Sequence, residues 1–339
     1  MRSPYKYVGK LYPMFDQSQY VDASFSVNFS FYEEVVKGLS TSQKTLPSKY
    51  FYDERGDRLF QAIMHCPEYY LSRCEQEIFE SRQAKMAELL FSKRQRIDLI
   101  ELGAGDASKT FHLLKYLLEN QYMVTYRPLD ISAHILFELA ADLRARIPQL
   151  NIETIPAEYI RGLEQIVRQS SAPKVLFFLG ANIGNMTKIE AHTFCRTLRS
   201  KLQQGDKVLI GFDLIKNPRI IQAAYDDQDG LTWDFNINLL TRINRELGAN
   251  FNPDLFEHYC TYIPETGECH SYLVSLVAHE VTFPDRKISF EKDELIHTEV
   301  SRKYQRWEID SMALTTGFSP VHAFLDNRQW FVDVVWEAI

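Results

Sequence analysis

From Ile97 onward, short apolar runs alternate with stretches of helical periodicity, and no other feature of the chain limits its possible folds as much. The runs are Ile97 to Leu102, Val124 to Leu129, Val175 to Leu179 and Val208 to Phe212. Helical patterns occupy Thr110 to Leu118, His134 to Ile147 and Ile189 to Leu202 between them. Continuous apolar runs suit strands covered on both faces, so the pattern predicts βαβ units and a doubly wound parallel sheet, an α/β fold.

The flanks have other textures. Asp53 to Phe91 is helical, with Leu59, Phe60 and Ile63 on one face and Ile78, Phe79, Met86, Leu89 and Leu90 on another, joined by a bend at Pro67-Glu68-Tyr69-Tyr70. Before it, only Phe31 to Leu39 suggests a helix. After Asp213, Leu231 to Leu247 is amphipathic, with Thr232 placed to cap it and Gly248 to end it. Strand-like segments at Tyr259 to Ile263, Ser271 to Glu280 and Lys287 to Phe290 predict an antiparallel insertion. A helix near Trp307 to Thr315, then Val321 to Leu325 and Trp330 to Trp336 around Asp326-Asn327, predicts a terminal hairpin. With 339 residues the chain exceeds one comfortable core, and about 150 residues per domain suggests two.

Composition narrows the partners. A net charge of −7 argues against nucleic acid, because phosphate binding needs clustered Lys and Arg, and Lys93-Arg94-Gln95-Arg96 is too short a run to change that. The five cysteines contain no C-x-x-C pair and the nine histidines no H-x-x-x-H, so neither a disulfide framework nor a metal site is expected. Met1 to Lys6 lacks an apolar leader core and no run approaches the ~20 apolar residues of a membrane span, so a cytoplasmic protein without membrane contact is expected.

The chemistry concentrates after the first strand. In Asp98-Leu99-Ile100-Glu101-Leu102-Gly103-Ala104-Gly105, two glycines follow the strand and precede a helix beginning near Ser108 or Lys109, where a ligand can approach bare backbone and a helix N-terminus. A plain strand-to-helix turn would use the same residues. Asp130 ends the second strand, where a carboxylate can accept both hydroxyls of a ribose; alternatively it caps the next helix. The third glycine of the dinucleotide fingerprint is missing, since Asp106, Ala107 and Ser108 follow, and this shifts the expected cofactor from NAD to S-adenosylmethionine. Tyr52, Tyr69 and Tyr70 are candidates to face its sulfonium. A nicotinamide oxidoreductase and a non-catalytic S-adenosylmethionine-binding protein are the rival readings. Cofactor-induced melting shifts separate the first, and methyl turnover the second.

Lys49-Tyr50-Phe51-Tyr52-Asp53, Pro67-Glu68-Tyr69-Tyr70, Gly180-Ala181-Asn182-Ile183-Gly184-Asn185 and Thr298-Glu299-Val300-Ser301 occur in this order. Together with Ala224-Tyr225-Asp226-Asp227, Phe235-Asn236 and Asn244-Arg245-Glu246-Leu247-Gly248-Ala249, they resemble the L-histidine Nα-methyltransferase family of ergothioneine biosynthesis, from about Pro47 to the C-terminus. The resemblance implies a Rossmann-like class I methyltransferase domain (74–213 and 304–339) with a terminal antiparallel hairpin, and an α+β substrate-binding domain (1–73 and 214–303). A monomer acting on a small-molecule amino-acid substrate is expected, and the resemblance implies that it carries histidine to its trimethylated betaine. By position, Gly103, Lys109 and Asp130 would hold the cofactor, and Glu158-Tyr159 stand where the family has an Asp-Phe pair for the adenine. Tyr69, Asn185 and Tyr225 would hold the α-amino and carboxylate groups, and Glu299 and Ser301 the imidazole. Tyr52 is the candidate catalytic residue, receiving or relaying the ammonium proton. Ser271 stands where the family commonly has Met and Asn182 where it commonly has Thr; another aromatic amino acid is therefore the alternative substrate.

Overall fold

The expected apolar runs assemble into one eight-stranded sheet. The computed structural model describes residues 18–339, with side chains from residue 29; the reading of Met1 to Lys6 lies outside them. Across the sheet the order is Phe318–Leu325, Phe331–Ala338, Lys207–Asp213, Lys174–Phe178, Ile97–Leu102, Val124–Asp130 and Asn151–Ile152, with Ile155–Pro156 also paired to Val124–Asp130. The inner strands run parallel, whereas Phe331–Ala338 is antiparallel to both its neighbours. This is the Rossmann-like class I arrangement closed by a terminal antiparallel hairpin, as expected. Every residue of Ile97–Leu102 and of Lys174–Phe178 is buried, which is why those strands lack polar alternation.

A second, four-stranded sheet orders Lys44–Thr45, Leu295–Arg302, Glu268–Ser275 and Phe256–Ile263. Its inner strand alternates buried and half-buried positions along Glu268–Ser275, so one face packs inward. The helix Leu231–Leu247 lies against Phe256–Ile263 and against the helix Glu54–His65.

Several local expectations need correction. The helix before Leu39 begins at Ser18, well ahead of Phe31. Thr232 does not cap Leu231–Leu247: Asp227 accepts from the amides of Leu231 (2.8 Å) and Thr232 (2.7 Å), so the exposed amides are met from outside the helix. Ser271 to Glu280 is two strands, because the Ser275 hydroxyl donates to the Val277 carbonyl (2.9 Å) and the chain leaves the sheet before re-forming a hairpin at His279–Thr282. The helix Tyr159–Gln169 had no counterpart in the periodicity.

Candidate active site

Two cavities meet beyond the carboxyl ends of the parallel strands, the place where open α/β sheets take ligands. The larger, about 400 Å³, is walled by Gly103, Lys109, Asp130 and Tyr159 among others and is of small-molecule size. The smaller, about 40 Å³, is walled by Tyr52, Tyr69, Asn185, Tyr225, Glu299 and Ser301. Tyr52, Phe60, Tyr69, Asn182 and Asn185 line both. Of the residues singled out from sequence, Glu158, Tyr70 and Ser271 line neither; Glu158 precedes the helix Tyr159–Gln169, and Tyr70, expected to face a sulfonium, is instead buried with its hydroxyl donating to Asp213 (2.8 Å).

The larger cavity is built on the loop after Ile97–Leu102. Gly103 has φ 70°, and a Cβ there would sit 2.9 Å from the Tyr159 hydroxyl, so the missing side chain makes room for that ring. One Asp130 oxygen accepts from the Ser132 amide (2.9 Å) and the other from Gly105 (3.4 Å), leaving lone pairs unspent on both. The following helix is capped by Ser132, which accepts from the Ile135 amide (3.3 Å), so Asp130 is free of the capping role. Beneath the loop, Glu101 accepts from Thr110 (2.8 Å) and Tyr126 (2.6 Å), and burial pushes its carboxyl up to about 7. Lys109 is bonded to the buried Glu75, which also accepts from the Gly180 amide at 2.8 and 3.0 Å, tying two strand-end loops together. The bare glycines, the half-used carboxylate and the volume fit an adenosyl cofactor.

The smaller cavity draws on distant segments. Tyr52 follows the turn Ser48–Phe51, Tyr69 precedes the helix Tyr70–Ser81, and Tyr225 follows the helix Pro218–Ala223. Asn185 ends the turn Asn182–Asn185, and at Gly184 a Cβ would lie 2.7 Å from the Arg302 carbonyl, so glycine lets this turn press on Leu295–Arg302. That strand bulges: His297 pairs with Tyr272 and Glu299 with Ser271, leaving Thr298 unpaired. Thr298 turns away to donate to Asn236 (2.8 Å), while Glu299 and Ser301 face the cavity. Ser271 is buried at the register position opposite Glu299.

Enclosure sets the charge states. Burial holds the Tyr52 and Tyr69 phenols well above their ordinary range, so both are neutral hydroxyls. Burial also pushes Glu299 up to about 7, although the nearby Lys303 ammonium pulls it down. Asp57, on Glu54–His65, rises to about 6 through burial and the facing Asp130 carboxylate. Around the junction, rings meet edge to face: Tyr52 with Phe60 (5.7 Å) and Phe235 (5.8 Å), and Phe60 with Tyr69 (6.2 Å). Uncharged ring faces suit an onium cation. Sequence reasoning missed Asp57, Glu75 and Lys303 as site residues. It placed Phe60 on an apolar helix face and Phe235 within an amphipathic helix, where nothing in the spacing separates a cavity wall from core.

A family model described as "Histidine-specific methyltransferase, SAM-dependent" matches residues 31–338. The chain is 32% identical over 295 residues to the histidine N-alpha-methyltransferase of Mycolicibacterium smegmatis, covering 86% of this chain and 90% of that protein. It is 32% identical to ergothioneine biosynthesis protein 1 of Schizosaccharomyces pombe over 71% of this chain and 32% of that one. It is also 26% identical to an L-tryptophan methyltransferase of Psilocybe serbica over 84% of this chain and 86% of that protein.

Proposed function

The chain belongs to the histidine-specific, S-adenosylmethionine-dependent methyltransferase family, and from that premise we propose that it methylates the α-amino group of L-histidine up to the trimethylated betaine, as in ergothioneine biosynthesis. It is an S-adenosylmethionine-dependent N-methyltransferase. The observation that carries the choice of substrate is the small cavity, where Glu299 and Ser301 stand beside Tyr69, Asn185 and Tyr225 and share walls with the larger one.

Gly103, Lys109, Asp130 and Tyr159 would hold the cofactor, with Glu158 at the head of the adjoining helix. When bound, S-adenosylmethionine supplies a methyl group on a sulfonium, open to in-line attack by an uncharged amine. Asn185 offers both a donor and acceptors, so it can orient an amine and bind a carboxylate at once. Tyr69 and Tyr225 add hydroxyls without adding a positive charge. Tyr52 keeps its proton at rest, so its role is to pass the ammonium proton along a hydroxyl relay and not to act as a standing phenolate base. Phe60, Phe235 and Tyr52 face the growing charge of the methylated amine with ring π-density.

The direct test is incubation with S-adenosylmethionine and a panel holding histidine, tryptophan, phenylalanine and tyrosine, followed by mass spectrometry. Histidine is expected to be consumed fastest, gaining one, two and then three methyl groups. No mass gain on histidine overturns the assignment, and arrest after one methyl overturns the betaine as product.

A further inference from the structure

Behind the small cavity lies a buried charge cluster that the roles above leave unused. Asp213, at the end of Lys207–Asp213, is fully buried and accepts from Tyr70 (2.8 Å), from Lys303 (3.0 Å) and from Lys216. Lys303 is equally buried, and its ammonium has three acceptors for its three protons: Asp213, the Tyr225 oxygen at 2.7 Å and the Ser301 oxygen at 2.8 Å. The Tyr225 and Ser301 hydroxyls lie 2.7 Å from each other, and both line the cavity.

An ammonium can only donate. Each hydroxyl oxygen therefore spends a lone pair on Lys303 and keeps its own proton to give. One proton closes the bond between the two hydroxyls; the other is left for whatever enters the cavity. Glu299, lining the same cavity, offers the opposite property when ionised, because a carboxylate only accepts.

We infer that Lys303 is a positioning residue that sets specificity: it fixes the Tyr225–Ser301 hydroxyl pair as the donor of one proton to the substrate, in the cavity where Glu299 accepts, so the site selects a ring carrying both a lone pair and an N–H. The inference rests on the histidine reading and deepens it. A neutral imidazole presents both groups. Indole presents an N–H without a ring lone pair, and phenyl presents neither. A site that hydrogen-bonds a substrate group discriminates strongly against analogues lacking it, since its own polar atoms are then left unpaired.

The test compares Lys303→Met with Lys216→Met in the full chain. Lys303→Met removes the donors to the two hydroxyls; Lys216→Met removes the other ammonium on Asp213 and touches neither hydroxyl. For Lys303→Met, the KM for histidine is expected to rise at least tenfold, with kcat changed less than about threefold and the S-adenosylmethionine KM unchanged, and the preference for histidine over tryptophan is expected to fall at least tenfold. Lys216→Met is expected to lower the melting temperature while keeping the histidine KM and the preference. Equal losses in the two variants, or an unaltered preference in Lys303→Met, overturn the inference. A melting shift with S-adenosylhomocysteine reports whether Lys303→Met is folded. Should it not be, the wild-type enzyme decides with two analogues. Triazolylalanine, which has N–H and lone pairs, is expected within about tenfold of histidine, and pyrrolylalanine, which has N–H alone, at least a hundredfold worse. Equal use of both analogues overturns the inference. Wild-type enzyme that leaves histidine unmethylated overturns the underlying reading instead.

Discussion

Glu299 is enclosed by protein yet open to the cavity, and that enclosure raises its carboxyl to about 7. Below that pH it is protonated and takes an N–H only weakly, through a neutral carbonyl oxygen; as pH rises through it, the stronger accepting carboxylate appears. Histidine kcat/KM is therefore expected to climb through about pH 7 in the wild type. In Glu299→Gln, whose amide oxygen accepts at every pH, that limb should be missing and KM higher throughout; a pH profile of both proteins checks this, and an identical limb in the variant would assign it to another group. The sign for stability is the reverse. A carboxyl whose folded pKa lies above its unfolded value makes the folded state hold the proton more tightly, so stability falls as pH rises from the ordinary glutamate range to about 7. Affinity for the substrate thus comes with a stability cost in the unliganded protein.

The motif around Tyr52 shows how an element delivers a residue. Asp53 caps Glu54–His65 by accepting from the Gly56 amide (2.7 Å), and it also accepts from Asn238 (2.8 Å) and Arg245 (2.6 Å) on Leu231–Leu247. It therefore anchors the turn that carries Tyr52 to two helices at once. Losing a cap costs about 1 kcal/mol and leaving a buried amide unpaired about 1 to 3 kcal/mol, so Asp53→Ala is expected to destabilise by about 2 to 4 kcal/mol and to raise the histidine KM. Urea melts and initial rates measure the two; full stability in the variant would remove Asp53 from this role. The amphipathic helix Leu231–Leu247 was legible because its period is local, and Asp227 as its cap was not, because the capping oxygen lies outside the helix beyond Gly230. Likewise Asn151–Ile152 and Ile155–Pro156 are too short to show alternation, and the helix that follows them was lost with them.

Across the molecule, the four buried inner strands and the closing hairpin could be read from the chain because each writes a continuous pattern of its own. Lys303 and Glu75 could not: a charged residue becomes a buried tie only through partners such as Asp213 and Gly180, 90 and 105 positions away. The same long-range assembly makes the cavities interdependent. Tyr52, Phe60, Tyr69, Asn182 and Asn185 face both, so ordering them around one ligand removes part of the cost of ordering them around the other. Histidine is therefore expected to bind more tightly in the presence of S-adenosylhomocysteine, by about 5- to 150-fold, the usual span of such couplings. Linkage requires S-adenosylhomocysteine to gain the same factor from saturating histidine. Calorimetric titrations in both orders measure the two factors. Factors above one that shrink together in Phe60→Ala place the coupling in the shared wall; a factor of one in each order would mean the two cavities fill independently.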